Sequence, residues 1–384
     1  MHSGHIKTLQ LNKLNRRIAI VHDTLWEYGG AERVLEVLLT MFPSSDLFTF
    51  YYNFHNTTIV SAFSHHHPKS SFIQHIPLFY KSRFPFALTR LISWIYFYFL
   101  NLSNYDLIIC SSHSFGSNMV RKKTGTLHVS YLHTTPRYLY KEFVNRGLIQ
   151  HFPWNLFLYP VLEIMKYIDK LSMNHPDLIL ANSYTVKKRI KKYYNKNATV
   201  ISPPVHIAGK LPRKNAYPKY YLAFSRLVAQ KGIELIVNTC TKHNLPLLVV
   251  GEGYLRNHLE NIAGKTIRFL GYVPDTDVSH IYANAKALLY CARDEDFGMV
   301  PVEAMAEGVP VVAYKSGGVS ETIINGKTGI FFHDYSQIGL YKAIQQLNKV
   351  KIIPKDCYEQ AKNFSKDRFE KSTFTIINKY SKLL

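Results

Sequence analysis

Short apolar runs alternate with longer segments of helical periodicity along most of the chain. The runs that predict strands lie at 18–21, 108–109, 129–131 and 178–181, and then at 220–224, 247–250, 267–270, 287–290 and 311–313. Strands that alternate with helices are typical of βαβ units, whose strands are parallel. The pattern therefore predicts an α/β protein with two parallel sheets.

The segment 202–218 separates the two sets of strands, and it contains four prolines and little periodicity. These features are typical of a linker. A chain of 384 residues also exceeds the length that one hydrophobic core usually serves. We predict a first domain over 1–203, a linker over 204–216, a second domain over 217–357 and a C-terminal helix over 358–384.

Two glutamates, Glu295 and Glu303, flank a segment whose pattern predicts a loop that turns into a helix. Pro301 suits the first turn of that helix and Gly308 suits its end. The loop follows a predicted strand, so both carboxylates are expected at the carboxyl edge of the sheet, where ligands bind in open α/β sheets. The helix start would offer N–H groups and a positive dipole end to an anion. The alternative is that both glutamates are solvated charges.

Two adjacent glycines, Gly29 and Gly30, follow the first predicted strand and precede a helix. Such a turn lets backbone N–H groups approach a diphosphate. The dinucleotide fingerprint G-x-G-x-x-G is absent from this turn, which disfavours a nicotinamide enzyme. An ordinary Gly-Gly turn remains the alternative.

Two cations, Arg226 and Lys231, follow the first strand of the second domain. Arginine can bind phosphate oxygens with two parallel hydrogen bonds, and lysine supplies a point charge. The pair could neutralise a departing nucleotide diphosphate without a metal ion. Alternatively, both are ordinary surface charges.

The order and spacing of these motifs, with His133 and the pairs Gly251/Gly253 and Gly317/Gly318, resemble the retaining glycosyltransferases of family 4. The resemblance covers roughly the whole chain, and it suggests that the helix 358–384 crosses back to pack on the first domain. It implies the GT-B fold, in which two Rossmann-like, doubly wound domains face each other across a cleft. The segment 131–138 is most similar to bacterial mannosyltransferases of lipopolysaccharide and exopolysaccharide synthesis, which usually have proline where this chain has Thr135.

The resemblance also implies roles for individual residues. It implies that His133 and Glu295 contact the donor sugar, that Glu303 holds the ribose hydroxyls, and that Arg137 and Tyr138 help to shape the acceptor side. The implied catalytic set is His133, Arg226, Lys231 and Glu295. The implied donor-binding set is Gly29, Gly30, Gly251, Gly253, Gly298, Met299, Val300 and Glu303.

The expected activity is transfer of a hexose with retention, most simply mannose from GDP-mannose, onto a lipid-linked or polysaccharide acceptor in cell-surface glycan synthesis. The donor would be a substrate, with no metal and no other cofactor. A UDP-sugar is the alternative donor. A non-catalytic scaffold of the same family is disfavoured, because the phosphate and ribose residues are all present.

The net charge of +21, more of it in residues 1–203, favours an anionic partner. Tyrosines and phenylalanines among the basic residues of 79–86 suit the boundary of a membrane. The apolar run 91–102 is shorter than the roughly 20 residues that cross a bilayer. We predict peripheral contact with an anionic membrane through the first domain, at the inner face of the plasma membrane. The alternative is a buried helix with a few surface lysines.

A second class, nucleic-acid binding, rests on the basic segment 185–196, which holds six cations and no acidic residue. No recognised nucleic-acid module surrounds it, and a solvated helix face is the better explanation, so no nucleic-acid partner is expected. The four cysteines are far apart, which argues against a zinc site or a disulfide framework and fits a reducing cytoplasm. Residues 1–17 lack an apolar core, so a secretory signal is not expected.

Overall fold

The chain forms two units in the computed structural model, which describes residues 16–76, 86–113, 116–140, 154–211 and 219–381. The first unit runs to Pro204 and includes Phe369–Leu384, and the second unit is Val205–Arg368. The chain thus passes from the first unit to the second within the proline-rich segment. Part of that segment, 212–218, lies outside the described residues.

The first unit is built on a parallel sheet of seven strands in the order β3-β2-β1-β4-β5-β6-β7. The strands are β1 Ile18–His22, β2 Asp46–Thr49, β3 Lys69–Ser70, β4 Leu107–Ser112, β5 Leu127–Leu132, β6 Leu178–Ala181 and β7 Thr199–Val200. Every residue of β1, β4 and β5 is buried, because helices cover both faces of such a sheet. The four predicted strands of this half are confirmed, whereas β2, β3 and β7 were not predicted.

The helices of the first unit are Gly30–Met41, Thr57–Phe63, Phe86–Phe99, Trp154–Ser172 and Tyr184–Tyr194. The last of these contains most of the basic segment, and it is amphipathic. Val186, Ile190 and Tyr193 are buried on one side, while the four lysines at 187, 188, 191 and 192 are exposed. The four lysines therefore form a solvated helix face, whereas Arg189 is buried.

The second unit has a parallel sheet of six strands in the order β10-β9-β8-β11-β12-β13. The strands are β8 Tyr220–Phe224, β9 Leu247–Val250, β10 Ile267–Gly271, β11 Ala285–Tyr290, β12 Val311–Tyr314 and β13 Gly329–Phe332. The helices are Ile233–Lys242, Arg256–Ile262, Asp275–Ala283, Met299–Ala306, Val319–Thr322, Gln337–Lys349 and Pro354–Ala361. Both sheets are doubly wound, as predicted.

The predicted single helix over 358–384 is replaced by two helices, Pro354–Ala361 and Lys366–Ser381. Ser365 interrupts the helical backbone, with φ −69° and ψ 157°. The first of the two helices belongs to the second unit. In the second helix, Phe369, Phe374 and Ile377 are buried in the core of the first unit. The change of unit therefore occurs near Phe369, about one helix later than the predicted boundary.

The apolar run 91–102 is largely contained in the helix Phe86–Phe99. Trp94 and Phe97 are buried, whereas Ile95, Tyr98 and Phe99 are exposed. Among the residues that the structure describes, no helix has both the length and the apolar character needed to cross a membrane. Of the aromatic and basic segment 79–86, residues 79–85 lie outside the described residues.

Candidate functional site

In the second unit, the predicted site residues gather in the loops that follow β8, β9 and β11. These loops lie at the carboxyl edge, where the strand order reverses between β8 and β11. Ligands bind at such switch points in open α/β sheets. A Cβ atom on Gly251 would lie 2.0 Å from the carbonyl oxygen of Ser225. Glycine is therefore required where the loops after β8 and β9 meet.

The central contact of this edge is an ion pair in which Lys231 Nζ lies 2.6 Å from Glu295 Oε2. Gly232 makes the contact possible, because a Cβ atom there would lie 2.3 Å from the carbonyl oxygen of Cys291 at the end of β11. Tyr290 is buried near Glu295, and burial, followed by the Glu295 charge, raises the tyrosine pKa well above its usual value. The Glu295 carboxylate is thus held by the Lys231 cation.

The predicted helix after Glu295 is present as Met299–Ala306 and begins two residues before Pro301. Gly298 precedes it with φ 86°, a left-handed conformation that glycine adopts without strain. The N–H groups of Met299 and Val300 lie in the first turn, where helices leave such groups without intrahelical acceptors. Glu303 is half-buried on this helix, and its charge acts on Tyr290.

Arg226 is exposed directly after β8, and Gly253 packs against the backbone of Leu227. Glu252, which lies between Gly251 and Gly253, accepts a 2.5 Å hydrogen bond from Arg256. The structure therefore brings Arg226, Lys231, Glu295 and the start of the helix Met299–Ala306 to one edge. This edge offers cations, amide donors and carboxylates, which together suit a phosphorylated, hydroxyl-rich ligand.

In the first unit, a buried polar network lies at the carboxyl ends of β1, β4 and β5. His22 on β1 is in register with Ser111 on β4, and His133 directly follows β5. The Ser111 hydroxyl oxygen lies 2.9 Å from His22 Nδ1 and 2.8 Å from His133 Nε2. The network includes the switch point between β1 and β4.

Glu32, in the first turn of the helix Gly30–Met41, extends this network. Its Oε1 lies 3.4 Å from His22 Nε2, and its Oε2 accepts a 2.9 Å hydrogen bond from the Gly29 N–H. The Gly29 amide, predicted to face a diphosphate, already has an acceptor within the protein. Gly30 is the first helical residue, so its N–H has no intrahelical acceptor.

Burial and the neighbouring side chains determine the charge states of His133 and Glu32. Burial, and then the neighbouring His113 and His22, lower the pKa of His133 well below its usual value. For Glu32, burial alone would raise the pKa, but the hydrogen bond with His22 and the other neighbouring groups more than offset burial and lower the pKa. At neutral pH His133 is therefore neutral and Glu32 is ionised.

Asp23 and His113 lie beside the network. Asp23 accepts hydrogen bonds from the backbone N–H groups of His113, at 2.5 Å, and Ser117, at 3.2 Å. The ligand atoms of His22, Glu32 and His113 lie within 4.8 Å of one another. Imidazole and carboxylate groups are common ligands of transition metals, so these three residues could hold a cation.

Arg137 and Tyr138, predicted on the acceptor side, lie in the turn that follows His133. The Arg90 guanidinium carbon lies 4.5 Å from the centre of the Tyr138 ring. Asp169 is buried on the helix Trp154–Ser172. Its carboxylate accepts hydrogen bonds from the hydroxyl groups of Tyr140 and Tyr194 at 2.8 and 2.9 Å. Burial raises the pKa of Asp169 to about 7.

Sequence reasoning missed several members of the two sites: His22, Glu32, Ser111, His113 and Tyr290. Local signals existed for some of them, since His22 directly follows an apolar run and Glu32 belongs to the Gly-Gly-Ala-Glu-Arg motif. Ser111 is the penultimate residue of β4 and Tyr290 is the last residue of β11, and neither carries a local signal of its own. Their partners lie in other strands and loops, so only the folded chain reveals their contacts.

Two family models match the chain. The model for glycosyltransferase family 4 matches residues 28–208, and the model for glycosyl transferases group 1 matches residues 210–364. The matches meet within the segment that joins the two units, and they include every predicted site residue.

Individual relatives agree with these models at low identity. The chain is 27% identical over 223 residues, 57% of its length, to an uncharacterized glycosyltransferase of Methanocaldococcus jannaschii. It is 28% identical over 184 residues, 44% of its length, to an O-antigen chain mannosyltransferase of Salmonella typhimurium. These alignments span 63% and 52% of the two relatives.

Among solved structures, the HepE protein of Anabaena in complex with UDP-glucose is similar in fold. The TM-score is 0.67 at 17% identity, and the match covers 94% of this chain and 99% of the other.

Proposed function

Since the chain belongs to the family 4 glycosyltransferases of the GT-B fold, we propose that it transfers a hexose from a nucleotide sugar with retention of configuration. The proposed donor is GDP-mannose. The proposed acceptor is a lipid-linked saccharide or a polysaccharide of the cell surface.

The observation that carries this proposal is the group of charges at the carboxyl edge of the second sheet. Breaking a sugar–phosphate bond places negative charge on the leaving diphosphate and positive charge on the anomeric carbon. Arg226, Lys231 and the first amides of the helix Met299–Ala306 are suited to the negative charge. Glu295, fixed by Lys231, is suited to the sugar side.

The remaining roles follow the family pattern. Glu303 is proposed to bind the ribose hydroxyls, and His133 a hydroxyl of the donor sugar. Carboxylates and neutral imidazoles accept hydrogen bonds from such hydroxyls. The two cations supply the charge that a divalent metal supplies in other transferases, so the proposed reaction needs no metal ion.

The choice of mannose is supported by the segment 131–138 and by the similarity to the Salmonella O-antigen mannosyltransferase. A UDP-sugar is the second candidate, which the fold likeness to a protein bound to UDP-glucose keeps open. None of the residues assigned above is proposed to recognise the nucleotide base of the donor.

Peripheral contact with an anionic membrane is supported by two helices of the first unit, Phe86–Phe99 and Trp154–Ser172. Their buried faces pack together through Trp94, Leu162 and Met165. Their other faces expose large apolar side chains: Ile95, Tyr98 and Phe99 on one helix, and Ile164, Tyr167 and Leu171 on the other. Such side chains, on a chain of net charge +21, suit an anionic bilayer surface. Cosedimentation with phosphatidylglycerol but not phosphatidylcholine vesicles is expected, and equal recovery with both would contradict it.

The activity is tested by incubating the purified protein with a panel of GDP- and UDP-sugars and measuring released nucleotide diphosphate, with and without EDTA. We expect GDP release from GDP-mannose, unchanged by EDTA. Release from a UDP-sugar alone would replace the donor assignment, and loss of release with EDTA would refute metal independence. Absence of release from every donor, with acceptor extracts present, would refute the proposed function.

A further inference from the structure

Four buried side chains of the first unit are hydrogen-bonded in series. In order they are Glu32, His22, Ser111 and His133. The exposed fractions of their residues are 7%, 0%, 0% and 8%, so water does not compete for most of these bonds. Each central member has two partners, and each hydrogen atom can serve only one bond.

The Glu32 end fixes the direction of this series. An ionised carboxylate accepts hydrogen bonds and cannot donate them. Its Oε2 already accepts the Gly29 N–H, and its Oε1 faces His22 Nε2 at 3.4 Å. That distance is long for a hydrogen bond, but a ring nitrogen lone pair facing the carboxylate would be repelled. His22 therefore carries its proton on Nε2.

The remaining protons follow from this one. With this as its one ring proton, His22 offers a lone pair on Nδ1, which accepts the hydroxyl proton of Ser111. Ser111 has only one hydroxyl proton, so its oxygen must accept from His133 Nε2 at 2.8 Å. A neutral His133 with a proton on Nε2 has a lone pair on Nδ1.

We propose that His22 carries this one ring proton, and that Glu32, His22 and Ser111 are positioning residues that hold His133 in the Nε2–H tautomer, so that its Nδ1 accepts a hydrogen bond from a ligand hydroxyl group. The low pKa of His133 supports this arrangement, because the ring stays neutral at pH 7. The identity of the hydroxyl as one of a donor sugar rests on the proposed function. The tautomer itself does not.

The arrangement makes a sharp prediction for Glu32→Gln. The Gly29 N–H requires an oxygen opposite it, so the amide NH₂ must face His22. His22 Nε2 then accepts, its Nδ1–H donates to Ser111, and Ser111 donates to His133 Nε2. The proton of His133 moves to Nδ1. One nearly isosteric change thus reverses every bond in the series and converts His133 from an acceptor into a donor.

A cation on His22, Glu32 and His113 would have the same effect as this substitution. A metal bound to His22 Nε2 occupies the lone pair there, so the His22 proton must lie on Nδ1. The state of His133 therefore distinguishes the proposed network from a metal site, and spectra are to be recorded after dialysis against EDTA.

The test is long-range ¹H–¹⁵N NMR of histidine-labelled protein at pH 7.5, which separates protonated from unprotonated ring nitrogens. Signals of His133 are assigned by their loss in His133→Gln. We expect protonated Nε2 in the wild type and protonated Nδ1 in Glu32→Gln. The matched control is Glu36→Gln on the same helix, whose carboxylate binds Tyr28 and should leave His133 unchanged.

Protonated Nδ1 in the wild type, or the same tautomer in Glu32→Gln, would overturn the proposal. If Glu32→Gln does not fold, Ser111→Ala gives a second test. That change removes the partner of Nε2 and should turn one tautomer into a mixture, whereas retention of the wild-type tautomer would overturn the role of Ser111.

Turnover separates this inference from the proposed function. Loss of one neutral hydrogen bond to the donor should lower kcat/KM about fivefold to tenfold in Glu32→Gln. A reversed tautomer with unchanged kcat/KM would overturn the donor-hydroxyl role of His133. A protein that shows the expected tautomers but transfers no sugar would refute the proposed function and leave the network intact.

Discussion

Lys231 Nζ lies 2.6 Å from Glu295 Oε2, although the two residues are 64 positions apart in the chain. The pair joins the loop after β8 to the loop after β11 at the switch point of the second sheet. Their side chains are 19% and 22% exposed, so solvent screens the pair only in part. Lys231, which is proposed to bind the diphosphate, thereby also holds Glu295, which is proposed to contact the donor sugar.

We expect Lys231→Ala to lower kcat/KM for the donor at least tenfold, because a charge-assisted bond to the diphosphate is lost. Urea unfolding of Lys231→Ala, Glu295→Ala and the double variant should give a coupling free energy of about 1 kcal/mol. Strictly additive effects on the free energy of unfolding would show that the ion pair does not stabilise the loops.

Glu303→Gln tests the ribose assignment. The change keeps the shape of the side chain and removes the charge that is proposed to accept two ribose hydroxyls. Calorimetry should show roughly tenfold weaker binding of nucleoside diphosphate and unchanged binding of pyrophosphate. The control is Glu307→Gln, one turn further along, whose side chain binds Ser279. Equal losses for the two phosphate ligands would contradict a ribose contact.

Gly317→Ala should disturb the site through the backbone. A Cβ atom there would lie 2.2 Å from the carbonyl oxygen of Glu295, and the residue has φ 60°. Gly326→Ala is the matched control, because its φ is 77° but nothing lies within 4 Å of the added atom. Both variants should lose about 1 kcal/mol of unfolding free energy from the left-handed backbone. Only Gly317→Ala should also lose donor turnover, and equal turnover would contradict the close approach.

Asp169 gives a pH-dependent prediction. Burial raises its pKa to about 7, so between pH 4 and 7 the folded state holds a proton that the unfolded state has released. This contribution to stability is complete below the usual aspartate pKa and is lost as pH rises through about 7, by up to about 4 kcal/mol.

Asp169→Asn should therefore exceed the wild type in unfolding free energy at pH 8, with the difference shrinking towards pH 5. Glu163→Gln is the control on the same helix, since the Glu163 side chain is 63% exposed. Urea unfolding at several pH values measures both variants. If the free energy of unfolding of Asp169→Asn changed with pH as steeply as that of the wild type, the raised pKa of Asp169 would be contradicted.

Much of the fold could be predicted from the sequence because buried parallel strands form near-continuous apolar runs. Strands β3 and β7 have two residues each, too few to produce a pattern. The helix after Glu295 was predicted from Pro301 onward because proline suits a first turn. Its actual start at Met299 depends on the left-handed Gly298, a conformation that composition alone does not specify.

The candidate site was predictable only where its residues are close in sequence. The cations Arg226 and Lys231 stand in one loop and carry a local signal. The series of His22, Ser111 and His133 depends on strand register, since the first two residues are 89 positions apart. His133 was predicted through the family resemblance, whereas His22 and Ser111 become informative only once the neighbouring strand is known.

The central claim is that the carboxyl edge of the second sheet binds a nucleotide diphosphate through Arg226 and Lys231. Calorimetric titration of GDP into the protein in EDTA tests it most directly, with the wild type compared with Arg226→Ala. We predict binding in EDTA that is about 10- to 100-fold weaker in the variant, because one charge-assisted contact is lost. Equal affinity in the two proteins, or wild-type binding that requires a divalent metal, would contradict it.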